Sequence, residues 1–248
     1  LLKDVTIDYS LGPEMYPEET KENVLLKEGK LTVKGRMKHP GFYRCKVKAH
    51  VNGNTYEGLA NAAYRPEQIL PTAENPSDFD AYWIAAIEKA RRTPLRPTMV
   101  LLPERCTETV NVYHVSFQNV RPGSRTYGIL CMPKKEGKYP ALLRVPGAGI
   151  RPYYGDVTTV ITAALHKQVT FFAAVHPAMC DHSAFLQHRA GGWPHYFYNQ
   201  ASPNKEEIHV SRYYDVVNFA RRLSIPGWFS WGYNDEVCPP TSMYSAYN

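Results

Sequence analysis

The 248-residue sequence has no apolar run near the roughly 18 residues that a membrane-spanning helix needs. It has no CxxC pair, and its five cysteines are an odd number, which argues against both a disulfide framework and a zinc ribbon. Lysine and arginine never run longer than pairs: Arg91-Arg92, Lys134-Lys135 and Arg221-Arg222. The net charge of +6 is therefore scattered as on a solvated surface, and no nucleic-acid partner is expected. What is present suits a globular protein: 44% hydrophobic and 21% charged residues exclude a disordered chain. The length fits one large domain or two smaller ones. Its 18 tyrosines and 4 tryptophans would suit sugar rings, although large cores use the same residues.

The first seventy residues read as strands. Residues 30–36 form a short mixed stretch. Residues 42–49 alternate, with Tyr43, Cys45, Val47 and Ala49 on one face and Arg44, Lys46 and Lys48 on the other. That period of two predicts a half-buried antiparallel strand. Asn52-Gly53 sits where a hairpin needs positive φ at both turn residues, and residues 55–64 supply the partner strand. With no helical period here, a small antiparallel β-sandwich over 1–70 is the economical expectation. Pro66, Pro71 and Pro76 then mark a strap. Asn75 and Pro76 offer a helix start, followed by the apolar stripe Phe79, Tyr82, Trp83, Ala86, Ile87 and Ala90.

From Pro97 the texture changes to successive strands at 99–102, 110–117, 125–132 and 139–145. The last is short and apolar, like a central α/β strand. It ends in Pro146-Gly147-Ala148-Gly149, a loop at a strand's carboxyl end, where open α/β sheets bind ligands. Residues 169–175 and 225–231 read as further strands, and Asp215 as the cap of a short helix over 216–223. Asp235 then stands on the turn after a late strand, where a hydrolase holds the acid of a catalytic triad.

The string Trp231-Gly232-Tyr233-Asn234-Asp235-Glu236-Val237-Cys238-Pro239-Pro240-Thr241 resembles the acid segment of the acetyl xylan esterase and cephalosporin C deacetylase family. Ala246-Tyr247-Asn248 continues the likeness, and residues 139–156 and 171–182 agree with it. The resemblance covers residues 76–248. It implies an α/β-hydrolase domain over 71–248, preceded by the β-sandwich as an accessory domain. It also implies deacetylation of acetylated saccharides such as xylan by Ser, His and Asp, in a secreted or periplasmic enzyme with no metal or organic cofactor. Asp235 takes the acid's place, and the backbone N–H of Ala148 that of an oxyanion-hole donor.

Two parts of the pattern are missing. No serine stands between glycines in the G-x-S-x-G elbow that exposes such a nucleophile. The resemblance puts the histidine past Asn248. The blocks on either side of the absent nucleophile meet near Thr159 and Val160, where the fold requires two crossovers. The expectation is therefore a longer chain, with an internal segment missing near 159/160 and a truncated C-terminus. The alternative is a non-catalytic carbohydrate-binding or scaffold protein that kept the fold without the triad; intact mass separates the two.

His176, His182, His188 and His195, with Cys180 and Asp181, lie close enough in sequence for a metal site, but their spacing matches no helical ligand motif and no metal is expected. A loop over the active-site mouth is the competing reading, with Trp193, His195 and Tyr196 as candidate sugar contacts; plain loop packing is a third. Cys238 follows Asp235 too closely for a base to sit between them and reads as a buried structural thiol. A homo-oligomer is left open by the sequence.

Overall fold

The computed structural model describes residues 5–143, 165 and 168–248. Residues 1–76 and 163–248 make one compact unit, and residues 77–162 a second. In this division the N-terminal sheet is grouped with residues 163–248.

In the first unit, β1 (Thr6–Pro13), β2 (Glu19–Leu25), β3 (Gly41–Val51) and β4 (Asn54–Tyr64) form one antiparallel sheet in the order β2-β1-β3-β4. The hairpin between β3 and β4 turns at Asn52 and Gly53, whose φ angles of 49° and 77° are the positive values such a turn demands. Ile7, Tyr9 and Leu11 of β1 are buried and pack with Tyr43, Cys45, Val47 and Ala49, the apolar face read from the alternation.

The expected sandwich is not formed: among the described residues, 1–70 build this single sheet. The reason lies in its cover. Leu26 and Val33, from the irregular segment after β2, pack on the apolar face instead of a second sheet. Residues 30–36 carry no strand; their one pairing is the isolated bridge Lys27–Lys30. The opposite face of β3 is not simply solvated, since Phe42 is buried against Tyr233 and Tyr244 at ring distances of 4.9 and 5.7 Å.

The same unit holds two parallel strands, β8 (Phe172–Val175) and β9 (Gly227–Ser230). The Phe172 ring lies over Gly227, where a Cβ would overlap it, so any larger residue there requires that ring to move. Three helices follow or flank them: α2 (Lys205–Tyr214), α3 (Val216–Ala220) and α4 (Pro240–Tyr247). Asp215 caps α3 as expected, its Oδ1 accepting from the Val217 N–H at 3.0 Å. Its carboxylate also accepts from the N–H groups of Asp181 and His182 at 2.9 and 2.8 Å. Buried Asp215 thus ties the loop after β8 to α3, and burial with Asp181 nearby pushes its carboxyl up to about 7.

The second unit contains α1 (Phe79–Arg91) and an antiparallel meander of β5 (Thr98–Leu101), β6 (Val110–Gln118) and β7 (Arg125–Pro133). Helix α1 starts three residues later than Asn75-Pro76 suggested, with Asp78 at its cap position; Asn75 instead accepts from Arg222 at 3.0 Å. Of the apolar stripe only Phe79 is buried. The strand expected at 139–145 is absent over 139–143, where Leu142 and Leu143 are exposed and no neighbouring strand pairs with them; its last two residues lie outside the described ones.

Candidate active site

The parallel pairing of β8 and β9 decides the geometry here. Both strands end on the same edge, and the His176 N–H, one residue past β8, donates to the Ser230 carbonyl at 2.7 Å. His176 adopts φ of 48°, turning its side chain toward the loop that follows β9. That loop closes with the Asp235 N–H donating to the Gly232 carbonyl at 3.3 Å. Asp235 Oδ1 then accepts from the N–H groups of Val237 and Cys238, both at 2.8 Å, so the carboxylate folds over the chain that follows it. Oδ2 is left for His176 Nδ1, 2.8 Å away and 59 residues distant in sequence.

An ionised carboxylate only accepts, so His176 Nδ1 carries the proton and Nε2 of the neutral ring carries the lone pair. An acid held by backbone donors, orienting an imidazole by its Nδ1–H, is the relation that acid and base have in a triad. The acid is largely buried while the imidazole is half exposed, 17% against 48% side-chain exposure. The carboxylate is thereby kept from water while the ring can be reached by a reactant.

The other sequence candidates fall in different places. Ala148 and the Thr159–Val160 join lie outside the described residues. His195 Nε2 donates to the Val237 carbonyl at 2.9 Å, bringing its loop against the acid turn. The Trp193 carbonyl accepts from the Met179 N–H at 2.8 Å. Tyr196 is exposed and lines a cleft of about 860 Å³ with His182, Asn204, Glu206, Glu207 and Tyr214. Neither Trp193 nor His195 lines it.

His182 is buried, and both its ring nitrogens lack a partner at hydrogen-bonding geometry. Burial pushes this imidazole down to about 4, so it is neutral near pH 7. The histidines therefore have separate surroundings: His176 meets Asp235, His195 meets Val237, and His188 lies edge-on to Tyr16. Asp181 is taken up by Thr72, Ala73 and Arg189. Cys238 is buried, and burial with Asp235 nearby pushes its thiol up to about 11, which leaves it protonated and unsuited to attack.

Sequence reasoning missed two things here. One is His176 as the partner of Asp235, weighed only as a member of a histidine cluster. The other is α2, which builds one wall of the cleft. Its signal was present: Asn204 caps the helix by accepting from the Glu206 N–H at 2.9 Å, and two acids occupy the first turn.

Three kinds of similarity bear on this site. The acetyl xylan esterase (AXE1) family matches residues 62–153 and 152–248. Acetyl esterase Axe7A of Xylanibacter ruminicola is 29% identical over 337 residues, covering 99% of this chain and 76% of that protein. That match is longer than the chain itself, so the relative carries a stretch with no counterpart here. In fold, the chain resembles an acetyl xylan esterase from Paenibacillus sp. R4, with a TM-score of 0.58 and 17% identity over 74% of this chain and 88% of that one. It also resembles acetyl xylan esterase 1 from Thermoanaerobacterium sp. JW/SL YS485, with a TM-score of 0.61 and 19% identity over 74% and 87%. With the family pattern matched across most of its length and the α/β-hydrolase-like fold shared with these enzymes, the chain belongs to the acetyl xylan esterase family.

Proposed function

We propose that the protein is a carboxylic ester hydrolase that removes acetyl groups from acetylated saccharides such as xylan, with Asp235 as the acid of a Ser-His-Asp triad. The observation that carries this is the Asp235 carboxylate: one oxygen is fixed by two backbone N–H groups and the other is given to an imidazole. In this chain the imidazole so held is His176. The chemistry then runs in two halves. The serine oxygen bonds to the acetyl carbonyl carbon as the imidazole takes its proton. The C–O bond to the sugar breaks, and the imidazole returns the proton to the departing sugar oxygen. Water next attacks the acetyl-enzyme, giving its proton to the imidazole, and acetate leaves as the serine is reprotonated. The Ala148 N–H would face the oxyanion.

The nucleophile belongs, in this reading, to the segment that the relative has and this chain lacks. The family match in two blocks that overlap at 152–153, several residues before the join expected near 159/160, supports an internal place for it. The cleft walled by α2 supports a saccharide substrate. It offers tyrosine rings for stacking and amide and carboxylate groups for hydroxyls, and its two glutamates disfavour an anionic ligand. A secreted or periplasmic location is part of the same reading. The second reading, a saccharide-binding protein without catalysis, is favoured by one observation: no serine stands in a G-x-S-x-G turn.

The test is acetate release from acetylated xylan by Asp235→Asn and His176→Ala. Asp235→Asn should keep its circular dichroism spectrum and lose roughly 10⁴-fold in kcat, as when a triad imidazole is left in the wrong tautomer. A rate equal to wild type would remove Asp235 from the mechanism. His176→Ala should lose as much if His176 is the base, and little if another histidine displaces it from Oδ2.

A further inference from the structure

The polar face of the N-terminal sheet, which the sequence alone would leave to solvent, is turned onto the acid turn. Four consecutive residues of that turn are held by it. Asn61 Nδ2 donates to the Tyr233 carbonyl. Asn234 Oδ1 accepts from the Asn61 N–H at 3.0 Å, and its Nδ2 donates to the Leu59 carbonyl at 3.2 Å. The Asp235 carbonyl accepts from Arg44 Nη2 at 3.0 Å. The Glu236 carboxylate pairs with Lys46 Nζ at 3.1 Å and lies 3.7 Å from Arg44 Nη1.

Behind these contacts stands Glu14, just past β1 and 2% exposed. Its Oε1 accepts from Arg44 Nη2 at 2.9 Å and from Asn61 Nδ2 at 3.0 Å. Arg44 Nε in turn donates to Asn61 Oδ1 at 3.1 Å, so the two groups that grip the turn are locked to each other and to Glu14. The other oxygen, Oε2, accepts from the Thr241 N–H at 3.2 Å and the Thr241 hydroxyl at 2.7 Å. Thr241 lies in the first turn of α4, the helix that leaves the acid segment. One buried carboxylate therefore ties both the sheet that supports Asp235 and the helix that follows it.

We propose that the N-terminal sheet is the seat of the acid turn, and that Glu14, acting through Arg44, Asn61 and Thr241, is a positioning residue for Asp235. This rests on the reading of Asp235 as the triad acid. A buried, charge-assisted network of this kind is satisfied in one geometry only, because each donor left without its acceptor would be stranded away from water. The main chain of Asp235 is thus held by the sheet, and its carboxylate by the N–H groups of Val237 and Cys238. A sheet that served only as an accessory module would not need to hold each residue of this turn.

The experiment compares the full protein with Glu14→Gln and, as a second variant, Asn61→Ala, which removes only the half-buried end of the network. Lys48→Ala, which breaks the exposed pair with Glu57 on the same sheet, is the control. Two readouts are taken on variants shown to be folded by circular dichroism: kcat and KM for acetate release, and the tautomer of His176 from long-range ¹H–¹⁵N spectra, assigned with His176→Ala. In both network variants kcat should fall about tenfold or more with KM nearly unchanged, as for misaligned reacting groups. His176 should also move from the Nδ1–H form toward the Nε2–H form. Lys48→Ala should change neither. A folded Glu14→Gln or Asn61→Ala with wild-type kcat and an unchanged His176 tautomer overturns the proposal. The tautomer keeps the two claims apart: if Asp235→Asn left activity intact while Glu14→Gln still moved the His176 tautomer, the positioning of Asp235 would stand and its role as the triad acid would fall.

Discussion

Glu14 makes folding stability depend on pH in a direction that can be worked out. Burial pushes its carboxyl up to about 7 from the usual 4.5, held back from rising further by Thr241, Arg44 and Asn61. Between those two values the folded chain keeps a proton that the unfolded chain has released. Stability contributed by this group is therefore complete below about pH 4.5, falls as pH rises through the window, and is fully lost above about 7. At about 1.4 kcal/mol per unit, the change is roughly 3 kcal/mol. Other groups titrate in the same range, Asp215 among them, so the assay is a difference. Urea unfolding of wild type and Glu14→Gln is measured from pH 4 to 8, and one free energy is subtracted from the other at each pH. The wild type should lose roughly 3 kcal/mol relative to the variant between pH 4.5 and 7. A flat difference, or one that rises with pH, would refute the reasoning.

A second prediction concerns the joint between the loop after β8 and α3. Asp215→Ala strands the N–H groups of Asp181, His182 and Val217 and should cost about 3–5 kcal/mol, read by denaturant unfolding; a loss under about 1 kcal/mol would mean that water or a rearranged loop replaces the cap.

The parts of this molecule that the sequence reveals are those decided by neighbours in the chain. Asn52-Gly53 names its own hairpin because the turn needs positive φ at both residues. Cys45 and Val47 announce a buried face by alternation, and Asp215 announces the helix it caps. The turn that carries Asp235 is legible for the same reason, closed between Gly232 and Asp235 just after β9.

What fails to show is decided at a distance. Nothing near His176 in sequence points to Asp235, because the two meet only through the parallel pairing of β8 and β9. Arg44 and Lys46 read as the wet face of a strand, and only the fold shows that face meeting residues 190 positions away. Glu14 meets Thr241 across 227 positions, and its burial contradicts what its residue type suggests. The sandwich failed for a related reason: an apolar sheet face demands a cover, but alternation cannot say that Leu26 and Val33 from an irregular segment will provide it. Helix α2 is the exception, a local signal at Asn204 and Glu207 obscured by the aromatic, histidine-rich stretch before it.

The most direct measurement on the central claim uses the protein purified from its natural host, treated with a fluorophosphonate that labels activated serines, and its intact mass. A mass well above the 28.2 kDa of the 248-residue chain is expected, with one adduct, on a serine, that stops acetate release from acetylated xylan. A mass near 28.2 kDa, with no adduct and no acetate released, would contradict the serine esterase and leave a saccharide-binding protein on a hydrolase fold.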